Sequence, residues 1–209
     1  MPMPHRLKLS PRHITVLKTL IHVVSLLFVA QLVLLTLTGG FGADPVQGIS
    51  HFTGKAALNT LLLTLCVSPV TRWLKQGLLV RVRRLLGLYS FSWAVLHLTA
   101  YLVLDLGLDW SLLLSEITER PYLTVGAACW LILCALAATS PQRMQRRLGT
   151  RWQKLHNWVY LAVVLAPVHY YWSVKSGVVE PLLYLLFAFV LLACRYRTFK
   201  RWLPAGATS

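Results

Sequence analysis

Three histidines, His97, His156 and His169, lie in stretches otherwise fit for the interior of a lipid bilayer. The stretch HNWVYLAVVLAPVHYYWS, residues 156–173, holds two of them thirteen residues apart, with Pro167 just before the second. An ionisable side chain at membrane depth is costly, so by default it marks function and has a partner. Imidazole offers three chemistries there: axial ligation of heme iron, proton transfer, or a polar link between helices.

Depth narrows the choice. His97 follows Arg84 by thirteen residues, and His169 follows His156 by the same count. At ~1.5 Å per residue each outer histidine lies ~20 Å into a ~30 Å hydrocarbon core. The spacing therefore puts His97 and His169 at one depth on two parallel helices. That arrangement suits two-histidine ligation of a heme, and it equally suits a hydrogen-bonded pair or a proton relay. On a straight helix His156 and His169 would point about 140° apart, but Pro167 breaks the hydrogen-bond ladder and permits a kink. At the depth of His156, the third apolar run offers Arg83 or Arg84 rather than a histidine, and the first run offers His22. We read His156 as an inner-site ligand and His22 as a further candidate. Arg83, Arg84, Arg151 and Lys154 suit heme propionates or a flavin phosphate; as topology determinants they need no ligand at all. His51 lies at the outer mouth of the second run, and His5 and His13 lie in the basic tail.

These residues must be held by helices. The 209-residue chain is 56% hydrophobic and only 13% charged, about half the charge of ordinary soluble domains. A spanning helix needs ~20 mostly apolar residues, and six runs qualify, near 14–37, 53–71, 84–106, 122–140, 155–173 and 178–195. Glycine and proline punctuate the joints, as in GGFGADP (39–45) and at Pro69, Pro121, Pro141 and Pro181. The fold expected is an all-α membrane protein, a six-helix transmembrane bundle. It comprises a basic tail at 1–13, a membrane domain at 14–197 and a second tail at 198–209. No internal repeat or low-complexity stretch is evident.

The net charge of +15 would suit nucleic acid, but the basic residues sit in short clusters between apolar runs. Eighteen of the twenty-one Lys and Arg fall in the N-terminal segment, the second and fourth connections and the C-terminal tail. The positive-inside rule then places both termini in the cytoplasm. All six carboxylates, Asp44, Asp105, Asp109, Glu116, Glu119 and Glu180, fall on the opposite side. The first run, about 24 residues long, exceeds the ~7–15-residue core of a signal peptide, so it reads as an uncleaved span. Cys66, Cys129, Cys134 and Cys194 form no CxxC and read as small apolar residues.

Four blocks in order carry a family resemblance: GADPVQGISHFTG (42–54), RVRRLLGLYSFSWAVLHLTAYL (81–102), RPYLTVG (120–126) and RRLGTRWQKLHNWVYLAVVLAPVHYYWSVK (146–175). Together they resemble the MsrQ (YedZ) family, and more widely the ferric-reductase-like transmembrane domain. The resemblance implies a six-span heme b protein of the bacterial inner membrane, with one or two hemes and FMN as a further cofactor. It implies electrons arriving from the quinone pool or a cytoplasmic flavin reductase, and leaving to MsrP, a periplasmic molybdopterin enzyme that repairs oxidised methionine. By motif, His97, His156 and His169 fall where the family's heme histidines lie. The wider superfamily has four ligands on two helices; here arginine stands where the fourth would be.

No GxGxxG follows a strand, and no nicotinamide or flavin domain is attached. The expectation is an electron-transfer subunit with a separate donor and acceptor, the outer loop 105–121 receiving the acceptor. A small transporter or proton-relay protein using the same histidines is the alternative.

Overall fold

A computed structural model describes residues 9–174 and 176–196. Residues 1–8 of the basic tail, Lys175 and the whole C-terminal tail 198–209 lie outside the described residues. All regular structure among the described residues is helical, and the chain divides into two compact units, Met1–Leu108 and Asp109–Ser209.

The first unit holds α1 (Pro11–Leu37), α2 (Pro45–Leu74), a 3₁₀ segment (Gly77–Val82) and α3 (Arg83–Ala100), which ends in a π turn at Tyr101–Asp105. Helix α2 begins eight residues before the expected apolar run. Asp44 caps it, its carboxylate accepting from the Gln47 N–H at 2.9 Å, and Pro45 supplies a first-turn φ. The polar segment VQGISHFTG is thus the first two turns of α2. Its threonines do not leave hydroxyls stranded in an apolar setting: Thr53, Thr60, Thr64 and Thr71 each donate to the carbonyl four residues back. Helices α2 and α3 pack along a close seam. Ser90 is fully buried and donates to the Ala57 carbonyl at 3.0 Å, where a larger side chain would hold the helices apart. Leu61, Leu62, Leu65 and Trp93 fill the rest of that core. At the unit's other end Ile14, Val67, Val82 and Leu86 tie α1 to the pair. Beyond it, Leu26, Leu27, Val33, Leu34 and Leu37 of α1 stand exposed, as expected of a helix whose solvent is lipid.

The second unit holds α4 (Trp110–Glu119), α5 (Pro121–Ala138), α6 (Gln142–Leu148), α7 (Thr150–His156), α8 (Val159–Ser173) and α9 (Val179–Ala193). The stretch expected as an irregular outer loop is largely α4. Asp109 caps it, accepting from the Ser111 and Leu112 N–H groups and the Ser111 hydroxyl. Helix α8 packs on α5 through Ala162 and Val163, both with no exposed surface, and the Cys129 thiol faces the Ala162 carbonyl at 3.6 Å. Arg195, 5% exposed, donates to the Tyr160 hydroxyl at 2.7 Å and lies over its ring.

Among the described residues, four helical segments are long and apolar enough to cross a membrane: Pro11–Leu37, Pro45–Leu74, Gly77–Asp105 and Pro121–Ala138. The chain is a multi-pass membrane protein. The fifth and sixth expected runs are shorter as helices. Turn residues Asn157 and Trp158 separate α7 from α8, leaving α8 with 15 residues, the same length as α9. At ~1.5 Å per residue each is ~22 Å long, less than the ~30 Å core.

Candidate functional site

His97 stands on the last turns of α3, facing the start of α2. Its Nδ1 is 3.0 Å from the Ser50 carbonyl oxygen and 3.4 Å from Thr53 Oγ1. A carbonyl only accepts, so Nδ1 carries the proton, and in the neutral ring Nε2 keeps the lone pair. Thr53 is 1% exposed, and its hydroxyl also reaches the Ile49 and Ser50 carbonyls. Gly54 lies under the ring: a Cβ there would sit 3.2 Å from Cε1 and 3.3 Å from Nδ1 of His97.

The second unit repeats this arrangement. His169 Nδ1 is 2.7 Å from the Tyr122 carbonyl oxygen, which fixes the same tautomer. Gly126 lies under the ring, where a Cβ would sit 2.7 Å from Cε1 and 2.8 Å from Nδ1. In both units the carbonyl precedes its histidine by 47 residues. Donation of one ring N–H to a backbone carbonyl is how ligand histidines are oriented for a metal on the other nitrogen. Both imidazoles are therefore presented in the form that heme iron takes.

Sequence reading did not identify Ser50, Gly54, Tyr122 and Gly126, and found no repeat. The signal was present as a doubled spacing, glycine followed 43 residues later by histidine, at 54 and 97 and again at 126 and 169. Two matches at that separation carry no periodicity, so only the folded chain makes them visible.

His156 ends α7. Its ring stacks on Trp152 with centroids 3.9 Å apart, and Nδ1 lies 3.2 Å from the Trp152 carbonyl. The Trp152 indole N–H in turn donates to the Thr139 carbonyl at 2.9 Å, so α7 is tied to the end of α5. The break between His156 and His169 falls at Asn157–Trp158, ten residues before Pro167. The two rings thus belong to separate helices, and the rotation expected of one straight helix does not apply. Pro167 lies buried inside α8.

His22, on α1, is hydrogen-bonded through Nδ1 to the Tyr89 hydroxyl of α3, with the rings edge to face at 5.5 Å. It is exposed. Arg83 and Arg84 form the first turn of α3, Arg83 half-buried and Arg84 exposed. His22, Arg83, Arg84 and His97 belong to the first unit, and His156 and His169 to the second. Along one face of α7 and the start of α8 runs an open groove of about 740 Å³. Thr150, Gln153, Lys154 and Asn157 line its polar part, and Trp158 and Leu161 its apolar part.

Residues 53–167 match the family described as ferric reductase like transmembrane component. A Klebsiella pneumoniae (strain 342) protein named protein-methionine-sulfoxide reductase heme-binding subunit MsrQ is 53% identical over 197 residues, 94% of this chain and 99% of its own length. The chain belongs to the MsrQ family. MsrQ proteins of Pectobacterium carotovorum (strain PC1) and Cronobacter sakazakii (strain ATCC BAA-894) are 54% and 53% identical over the same 94% of the chain. No solved structure matches. The ferric-reductase-like match begins at Thr53, whose hydroxyl lies beside the His97 ring, and ends at Pro167, two residues before His169. It therefore spans both glycines, His97 and His156.

Proposed function

We propose that this chain is the heme-binding electron-transfer subunit of a methionine sulfoxide reductase system in the bacterial inner membrane. The observation that carries the reading is the doubled tautomer lock: Nδ1–H of His97 on the Ser50 carbonyl and Nδ1–H of His169 on the Tyr122 carbonyl. In each ring it leaves Nε2 as the donor atom for iron. The 53%-identical relative named as a heme-binding subunit supports the same reading.

Heme b, when bound, supplies a one-electron carrier that the apolar helices lack. His97 and His169 are the proposed ligand pair of one heme toward the outer face. His156 is the proposed ligand of a second, inner heme, with Arg83 and Arg84 pairing with propionates. Arginine suits that task because its planar fork matches a carboxylate and stays charged. FMN, expected from the family resemblance, would find its phosphate partner in Lys154 or Arg151 beside the α7 groove.

The chain crosses the membrane six times with both termini in the cytoplasm, α8 and α9 completing the count. Electrons enter from the quinone pool or a cytoplasmic flavin reductase. A quinol yields protons with its electrons, and His22 with Tyr89 is the hydrogen-bonding pair at that depth able to take one. Electrons leave to the periplasmic molybdopterin enzyme MsrP, for which the Trp110–Glu119 helix is the proposed docking element. Repair of oxidised periplasmic methionine then takes place on that partner.

Purified full-length protein, expressed with ample heme supply, should show a sharp b-type difference spectrum between reduced and oxidised states. Heme and flavin quantitation on the same sample gives the stoichiometry. A colourless preparation would falsify the reading and leave the proton-relay alternative.

A further inference from the structure

Each outer histidine stacks against a glycine that lies one helical turn beyond its acceptor carbonyl. In an α-helix the carbonyl of residue 50 faces the N–H of residue 54, and that of 122 faces the N–H of 126. Side chains tilt toward the helix N-terminus, so the side chain four residues on covers that carbonyl. A slim hydroxyl such as Ser90 Oγ reaches a carbonyl past Leu61, but a flat ring laid over the turn itself needs the space that this side chain would fill. Gly54 and Gly126 leave that space open. Carbonyl, glycine and histidine stand at 50, 54 and 97 in the first unit and at 122, 126 and 169 in the second, every member displaced by 72 residues.

We propose that Gly54 and Gly126 are positioning residues: each is the seat that opens a helix carbonyl to an imidazole and so sets the tautomer and rotation of one iron ligand. This rests on the heme reading above. The two seats are not equal. A Cβ at 126 would approach His169 to 2.7 Å, closer than real Cβ atoms come, and so would displace the ring. A Cβ at 54 would approach His97 to 3.2 Å, which a shift of a few tenths of an ångström relieves. Thr53 adds a hydroxyl at 3.4 Å from His97 Nδ1, whereas Val125 occupies the corresponding place in the second unit. The first seat therefore keeps a polar partner for its ring after a small displacement.

The test uses the full-length protein purified in detergent, as Gly54→Ala, Gly126→Ala and Gly87→Ala. Gly87 is the control: it lies inside α3, and a Cβ there meets only the Thr64 methyl group at 4.0 Å. Alanine is the better helix former at all three positions, so a loss at 54 or 126 does not come from helix propensity. Readouts are heme per protein, heme affinity of the reconstituted apoprotein, and the low-spin electron paramagnetic resonance signal, which reports imidazole orientation. Gly126→Ala should weaken heme binding by about 10–100-fold, the usual effect of removing a ligand's supporting contact. Gly54→Ala should keep heme with a shifted low-spin signal, and Gly87→Ala should match wild type. If Gly126→Ala fails to accumulate in membranes, Gly54→Ala decides alone. A red wild type whose Gly54→Ala and Gly126→Ala variants keep its affinity and signal overturns the seats while the heme reading stands. A colourless wild type overturns both.

Discussion

The Nδ1–H of His169 donates to the carbonyl oxygen of Tyr122 at 2.7 Å, across two helices and 47 residues of sequence. That carbonyl already serves α5, so it anchors helix and imidazole together. The ring is fixed in one tautomer by a neutral acceptor, which in a low-dielectric site avoids the desolvation cost of a carboxylate partner.

If His97 and His169 share one iron, single His97→Ala and His169→Ala substitutions should each remove the same heme. Heme per protein would fall by one equivalent in either variant and by no more in the double variant. Pyridine hemochrome assay and redox titration read this directly. Loss of two spectrally different hemes, one per substitution, would refute the pairing.

His22 and Tyr89 form a pair outside the proposed ligand set. Tyr89→Phe removes the hydroxyl and keeps the ring, so it should leave heme content unchanged. Reduction of the protein by a short-chain quinol should slow by about 10²-fold or more, the usual contribution of a positioned proton acceptor. Reduction by dithionite, which needs no proton acceptor, is the control. Equal slowing by both donors would remove the pair from the donor site.

The Ser90–Ala57 contact sets how closely α3 approaches α2, and with it the distance from His97 to Ser50. Ser90→Ala should be mild, near 1 kcal/mol, because the Ala57 carbonyl retains its helical partner. Ser90→Leu forces extra volume into a seam with no exposed surface and should cost ~1–3 kcal/mol or more. Thermal unfolding in detergent measures both. The leucine variant should also lose heme affinity, since the Ser50 carbonyl moves away from the ring.

Asp109 holds the start of α4. The Ser111 hydroxyl first, then the Leu112 and Ser111 N–H groups, keep its carboxyl below the usual carboxylate range. A lowered folded pKa stabilises the helix above the unfolded value of about 3.9. That contribution is lost as pH falls through the lowered folded value. The protection of amides 110–119, taken relative to their intrinsic exchange rates at each pH, should therefore fall in acid. Asp109→Ala should show the faster exchange already at neutral pH, and Asp109→Asn, still a good cap, should show little change.

Membrane character, helix content and the candidate histidines were legible from sequence because they follow from local quantities. Run length against bilayer thickness finds spans, and an ionisable group inside a span stands out against its neighbours. Boundaries were less legible. Helix α2 begins at Pro45 rather than near residue 53, because Asp44 and Pro45 start a helix through polar residues that a hydropathy window discounts. The run 155–173 divides at Asn157–Trp158, where Asn157 is the C-cap of α7. Apolarity alone does not report that break.

By itself the sequence determined that this chain lives in a membrane and which imidazoles fall within its apolar runs, since both depend on residues near one another in the chain. Only the tertiary structure decided how those imidazoles are held. The atoms that fix His97 and His169 are the main-chain oxygens of Ser50 and Tyr122, each 47 residues away, and every residue type supplies the same oxygen. A backbone acceptor leaves no mark in sequence, and the absent Cβ that exposes it acquires meaning only when another helix is laid across it.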